Sequence, residues 1–108
     1  MIRPAHELLE MESLGAAAEC LKTLAHPHRL RIIQLLSQGD HTVGELAEAC
    51  KIASHTASEH LRLMRDRGML TKERDGHRVY YKVAQARVSG VMQFVESYFM
   101  SETVSAAG

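Results

Sequence analysis

The residues best suited to binding chemistry lie between positions 51 and 82, where basic side chains are concentrated. This segment holds eight Lys and Arg residues against four Asp and Glu, whereas residues 1–50 hold four against seven. The chain of 108 residues has a formal net charge of zero, but salt screens charges beyond about 10 Å, so the local excess decides what the segment attracts. The pattern is typical of a surface that binds phosphate groups.

Small polar residues lie in the first part of this basic segment, in a stretch with the spacing of a helix. Ser54 is expected to cap a helix in which Ala57, Leu61 and Met64 recur at i, i+4 and i+7 and face inward. Short side chains let a helix N-terminus enter a DNA major groove, where the helix dipole favours phosphate. The residues of this helix predicted to bind DNA are Ser54, His55, Thr56, Ser58, Glu59, His60 and Arg62.

A shorter helix precedes the polar one and completes a helix-turn-helix. The hydroxyl of Thr42 and the carboxylate of Glu45 have the spacing of a capping box. Residues 51–53 are expected to turn the chain, and Gly68 to end the second helix in a left-handed conformation. The same pattern also fits an ordinary helical hairpin with a solvated polar face.

After Gly68 the hydrophobic period changes from 3.6 to 2. Residues 69–74 and 77–83 are predicted to be strands joined by Asp75-Gly76, a strong hairpin signal. A basic hairpin directly after such a helix is typical of a wing, and Arg74, His77 and Arg78 are predicted to hold it to the DNA backbone. The alternative is a solvated hairpin whose charges only protect its edges.

The remaining helices have long apolar stripes. The patterns predict helices over 8–24, from Pro27 to before Gly39, and over 85–100. The stripes of the first and last helices are either core or a surface paired across a twofold axis. Pairing suits a palindromic DNA site, and the predicted dimer contacts are Leu14, Leu21, Val91, Val95 and Phe99.

Together these elements predict one mainly α domain with a β-hairpin wing, a winged helix-turn-helix that dimerises through its first and last helices. Its expected limits are 8–100, with a flexible arm over 1–7 and a disordered tail over 101–108. No apolar run is long enough to span a bilayer and no signal-peptide core is present, so we expect a cytoplasmic protein with reduced cysteines.

The sequence resembles the ArsR/SmtB family of bacterial winged-helix repressors from roughly Leu14 to Phe99. The resemblance rests on LKTLAHPHRLRIIQLL, on ELAEAC followed by TASEHLRLMRDRGML, and on RDGHRVYYKV, in that order. It implies a homodimer that blocks a promoter and releases it when a metal, metalloid or redox signal binds. By position, Thr56, Ser58 and His60 match the recognition-helix run of the family, whereas Ala53-Ser54 stands where the family often has Ser-Gln.

The ligand sets that the resemblance implies are absent from the sequence. Ala47 and Ala49 occupy the positions of the family's Cys-x-Cys pair, and the last helix has no His or Asp for a zinc-type site. Gln34 and Met100 stand where sulfur-sensing relatives carry cysteines. The seven histidines lack the spacing of a known metal set, so no metal and no cofactor is predicted.

The leading hypothesis is therefore a DNA-binding transcriptional regulator that reads a palindromic operator in double-stranded DNA as a homodimer, with an unidentified inducer. The alternative is a winged helix whose partner is a protein. An enzyme is not expected, because Cys50, Ser58 and His60 have no orienting acid at a recognisable spacing. Cys20 and Cys50 are expected to act as small hydrophobic residues, and the alternative is a thiolate pair between subunits.

Overall fold

The described part of the chain forms five helices and three short strands. The structure, a computed structural model, describes the backbone of residues 7–107 and the side chains of residues 7–85 and 88–100. In chain order the elements are α1 (Met11–Leu24), α2 (Pro27–Gln38), β1 (His41–Thr42), α3 (Val43–Cys50), α4 (Ser54–Asp66), β2 (Leu70–Asp75), β3 (Arg78–Val83) and α5 (Ala86–Ala107). The prediction of a mainly helical fold with a hairpin wing is confirmed. The arm predicted over 1–7 lies outside the described residues except for Glu7, which is exposed.

The two terminal helices differ from their predicted limits. Helix α1 begins at Met11, three residues after the predicted start, and its N-cap residue Glu10 makes no side-chain capping bond. Helix α5 continues to Ala107, through the segment predicted to be a disordered tail. Between Gly90 and Gly108 this segment contains neither Gly nor Pro, so no residue there breaks the helix.

The start of α3 confirms the predicted capping box. The backbone N–H of Glu45 donates to the Thr42 hydroxyl at 3.2 Å, and the Thr42 N–H donates to the Glu45 carboxylate at 2.8 Å. The bond from the Thr42 backbone is the main cause of a lowered pKa of Glu45. The charged form of Glu45 therefore contributes to the cap, and this contribution is lost as the pH falls through the lowered pKa.

Replacing Thr42 by Ala removes the acceptor of the first bond. We expect T42A to lower the free energy of unfolding by about 1 kcal/mol, the usual cost of losing an N-cap. Denaturant unfolding at pH 7 measures this change. The control is S101A, because residue 101 lies at the end of the chain far from the cap in sequence. Equal stability of T42A and the wild type would show that the capping box is not stabilising.

The turn between α3 and α4 differs in detail from the prediction. Residues 51–53 form the turn, but the N-cap of α4 is Ala53, and no side chain caps this helix. The prediction that Ser54 is the cap is therefore wrong. Lys51 adopts a left-handed conformation with φ 57° and ends α3. The turn is then complete at Ala53, so Ser54 is already the first residue of α4. Gly68 follows α4 with φ +80°, as predicted.

The hairpin lies one residue further along the chain than predicted. Asp75 pairs with Arg78, so the two turn residues are Gly76 and His77 instead of Asp75 and Gly76. Gly76 has φ +65°, and a two-residue hairpin with a positive φ only at its first turn position needs glycine there. The sheet has a third strand that was not predicted, because β1 is two residues long; it pairs with β3 and gives the order β1-β3-β2.

The core is formed by α2, α3, α4, the sheet and one face of α5, whose Met92 is buried. Its largest fully buried side chains are Ile32, Ile33, Leu46, Leu61, Met64 and Leu70. Helix α1 contributes only Thr23 and Leu24, so most of its apolar stripe is outside this core. No helix in the described part of the chain has the length and apolar character needed to cross a membrane.

Candidate nucleic-acid interface

Helix α4 presents a polar outer face at its N-terminal half. Ser54, His55, Glu59 and Arg62 are exposed, and Thr56 and Ser58 are half-buried. Their inward neighbours Ala57, Leu61 and Met64 are fully buried, as the spacing predicts. The first turn of α4 is therefore rigidly seated while its polar side chains remain available to a ligand.

His60 is the member of the predicted set that faces inward. Its side chain is 9% exposed, because it lies three residues after Ala57 and four before Met64 on the buried face. Its Nδ1 accepts a hydrogen bond from Arg29 Nε at 3.1 Å, and Arg29 Nη1 donates to the Thr23 carbonyl at 2.9 Å. His60 therefore does not lie on the exposed face of α4 with the other predicted residues, and together with Arg29 it joins α4 to α2 and the end of α1.

Burial and neighbouring charges favour the neutral form of His60. The pKa of His60 is lowered mainly by its burial, and further by the neighbouring His26, Arg29 and His28. The rings of His26 and His60 have their centroids 4.6 Å apart. A neutral imidazole is consistent with Nδ1 accepting a hydrogen bond from a guanidinium group.

The wing places its predicted residues at the surface. Arg74, His77 and Arg78 are exposed, and His77 is in the hairpin turn. His77 and Arg78 also line a cleft against the start of α3, where Thr42 and Glu45 form the opposite wall. The wing tip and the helix-turn-helix therefore border one continuous surface.

Ion pairs reduce the basic excess that the sequence shows. Lys82 lies 3.6 Å from Asp40 and 3.2 Å from Glu73, and these acids raise the pKa of Lys82. Arg67 lies 3.9 Å from Glu19 of α1. Within the described residues, the three predicted arginines Arg62, Arg74 and Arg78 are exposed and form no ion pair, so they are free to meet phosphate; the same holds for Lys72 of β2. Sequence alone does not reveal this sorting, because Asp40 and Glu19 are distant along the chain.

The predicted dimer contacts fall into two groups. Leu14, Leu21 and Phe99 are exposed, at 43%, 57% and 60% of their surface. Val91 and Val95 are half-buried and pack against the core of their own chain. Leu14 and Leu21 are thus open to a partner. Phe99 is exposed but already contacts the ring of Tyr98, and Val91 and Val95 have neighbours in the core.

Comparison with known proteins identifies the family of this chain. Residues 24–73 match the sequence model of a helix-turn-helix domain family. The chain is 32% identical over 95 residues to the HTH-type transcriptional regulator YgaV of Escherichia coli K12, covering 86% of this chain and 96% of YgaV. It is 33% identical over 81 residues to the HTH-type transcriptional repressor SmtB of Mycobacterium tuberculosis H37Rv, covering 75% of this chain and 60% of SmtB. The chain belongs to the ArsR/SmtB family of helix-turn-helix transcriptional regulators.

The solved structures agree with an ArsR/SmtB fold. One is the homodimeric winged helix-turn-helix DNA-binding domain of Mb0332 from Mycobacterium bovis, with a TM-score of 0.76 at 29% identity. The match covers 93% of this chain and 94% of the Mb0332 domain. In this ArsR/SmtB regulator, α3 and α4 are accordingly the helix-turn-helix, α4 is the recognition helix, and the β2–β3 hairpin is the wing.

The two cysteines of this ArsR/SmtB regulator lie in different surroundings. Cys20 is exposed on α1, and Cys50 is half-buried at the end of α3, with its Sγ 4.0 Å from the His28 carbonyl. Burial raises the pKa of the Cys50 thiol. Because the thiolate is the form that reacts and binds metals, this environment disfavours both roles for Cys50.

We expect Cys20 and Cys50 to be dispensable for control. The variants C20S and C50S should bind operator DNA as the wild type does, both reduced and after peroxide treatment. Fluorescence anisotropy with operator DNA measures this in matched reduced and oxidised samples. Loss of a peroxide response in either variant, with DNA binding intact when reduced, would instead make that cysteine a sensor.

Proposed function

We propose that this regulator is a homodimeric repressor that reads a palindromic operator. The recognition helix inserts Ser54, His55, Thr56, Ser58, Glu59 and Arg62 into the major groove, and the wing residues Arg74, His77 and Arg78 bind the adjacent backbone. The observation that carries this proposal is that Arg62, Arg74 and Arg78, which form no ion pair with any described residue, lie on the exposed parts of α4 and the wing. Repression is supported by the similarity to SmtB, a repressor.

The exposed apolar residues support the dimer. In the part of the chain with described side chains, the large apolar residues that stay exposed all belong to two terminal segments. They are Leu8, Leu9, Met11, Leu14 and Leu21 near α1, and Phe94, Tyr98, Phe99 and Met100 in α5. Solvent-exposed apolar surface of this extent marks an association site. A second copy of the chain fits this surface best, because the similar Mb0332 domain is homodimeric.

A twofold dimer suits the reading of DNA. Two recognition helices related by a twofold axis meet successive major grooves when the half-sites are about one helical turn apart, so the operator shares the symmetry of the protein. Such a regulator acts in the cytoplasm, where the DNA is, and it needs no enzymatic activity. Its inducer is a small molecule, an ion or a redox signal.

Selection of binding sites from random duplex DNA tests the proposal. The selected sequences should be palindromic, and affinity for them should fall steeply as salt rises, because phosphate binding releases counterions. A protein-interaction module with the same fold would select no sequence and would bind DNA weakly at every salt concentration. That result would overturn the proposed function.

A further inference from the structure

Three histidines that are scattered in the sequence meet at one point of the fold. His26 precedes α2, His28 lies in its first turn, and His60 is in the recognition helix. One ring nitrogen from each lies within 4.8 Å of the other two. All three rings are wholly or partly withdrawn from solvent. The sequence shows only that His26 and His28 flank Pro27, and the fold adds the third member.

We propose that His26, His28 and His60 bind a divalent transition-metal ion of the borderline class, such as Zn²⁺ or Co²⁺. Imidazole is a preferred ligand of these ions, and three imidazoles with one open position make a complete set of protein ligands. Ligand nitrogens around tetrahedral Zn²⁺ lie about 3.4 Å apart, given Zn–N bonds of 2.0–2.1 Å. The rings therefore need to close by about 1.4 Å or less, a movement that side-chain rotation supplies.

The hydrogen bonds at the cluster determine what metal binding must displace. His26 Nδ1 accepts from the His28 backbone N–H at 3.1 Å, and His60 Nδ1 accepts from Arg29 Nε at 3.1 Å. In both rings the ring proton is then on Nε2. A metal bound at Nδ1 takes the place of the N–H donor. A metal bound at Nε2 requires the ring proton to move to Nδ1, which also breaks the bond. The ring of His28 has no hydrogen-bond partner among the described residues.

Metal binding at either ring nitrogen of His60 therefore breaks the hydrogen bond from Arg29. Arg29 connects the recognition helix to α2 and, through the Thr23 carbonyl, to the end of α1. Metal binding replaces this connection with a bond from His60 to α2 and its N-cap residue. This changes how the recognition helix is held, and so the operator affinity; this consequence rests on the proposed function, whereas the metal site itself does not.

Titration of the full-length, DNA-free protein with Co²⁺ tests the site directly. Visible absorption bands of tetrahedral Co²⁺ should saturate at one ion per chain in the wild type. H28Q and H60Q should lose these bands, and so should H26S, which removes the ligand but keeps a residue that favours the N-cap position. The matched control is H55Q, because His55 is exposed on the same recognition helix and outside the cluster. Thermal unfolding without metal confirms that each variant is folded.

Arg29 supplies a test that does not remove a ligand. R29Q should bind Co²⁺ about ten-fold more tightly than the wild type. The substitution removes the guanidinium group that competes with the metal for His60, and it removes a positive charge next to the metal site. Wild-type protein should also show a higher Tm when Zn²⁺ is added, because the ion binds the native state. Absence of tetrahedral bands in the wild type, or equal bands in H28Q, H55Q and the wild type, would overturn the site.

A separate measurement addresses the coupling. Operator affinity of the wild type should change on adding Zn²⁺, while H28Q should not respond. Co²⁺ bands with an unchanged operator affinity would keep the metal site and overturn the coupling to the recognition helix. Failure to bind any DNA would overturn the proposed function and leave the metal result standing.

Discussion

R78A should bind every DNA sequence more weakly than the wild type, by about 30-fold at 0.15 M salt. Arg78 is exposed beside the wing turn and forms no ion pair in the described part of the chain. Each lost phosphate contact removes roughly one released counterion, which at this salt is worth about five-fold in affinity. A dimer loses two such contacts, so the slope of log affinity against log salt should fall by about two.

The control for this prediction is K82A. Lys82 is also a wing cation, but Asp40 and Glu73 hold it in ion pairs. Its removal deletes the same charge and should leave the salt slope unchanged.

Changes at His55 or Ser58 should alter the preferred sequence as well, because these positions are predicted to face base edges. If R78A and R62A both bind the selected operator as tightly as the wild type, the proposed surface is wrong.

L21E should convert the regulator into a monomer. Leu21 is 57% exposed in the single chain, so a charge there does not disturb its own fold. In the proposed dimer the same position is buried against the partner, twice per dimer, and burying a charge there costs several kcal/mol for each copy. The dimer dissociation constant should rise by more than about 100-fold, and sedimentation velocity at micromolar concentration should show monomers. Weak operator binding follows, since each monomer reads one half-site.

A49E is the matched control for L21E. Ala49 is exposed on α3, outside the terminal helices, so the same added charge should leave the dimer intact. Val95 is less suitable for this test, because it packs partly against the core and a charge there also strains the monomer. A wild-type protein that sediments as a monomer at micromolar concentration would contradict the proposed dimer.

Local interactions explain which features the sequence predicts. The capping box depends on two residues only three positions apart, so it is predictable from the sequence. The left-handed conformation at Gly68 depends on the backbone freedom of that one residue, so it is predictable as well. The hairpin turn was predicted one residue early, because Asp75-Gly76 and Gly76-His77 both offer a glycine and only the pairing of the strands selects between them. Contacts distant along the chain escape sequence patterns altogether, as the bond between Arg29 and His60 shows.

The same distinction applies to the proposed site. The helical spacing of apolar residues in α4 predicts which of its side chains are exposed. The alternation of apolar and polar residues in the strands predicts the wing. Most candidate DNA contacts are therefore predictable from the sequence. His60 fits two patterns, because it matches the recognition-helix run and also lies between the inward-facing Ala57 and Met64, and the structure places it on the buried face. The pairing of Lys82 with Asp40 could not be predicted, since it requires the unpredicted strand β1 to bring residue 40 beside β3.

Strand β1 also fixes the position of the wing relative to the helix-turn-helix. Thr42 pairs with Tyr80 of the wing and at the same time caps the first helix of the helix-turn-helix. The wing and the helices are therefore joined at one residue and cannot swing independently. In the proposed complex, the distance between the groove that the recognition helix enters and the DNA backbone that the wing touches is therefore fixed. A base pair inserted between those two contacts would shift one of them out of reach, so we expect the regulator to tolerate substitutions in its half-site better than changes in its spacing.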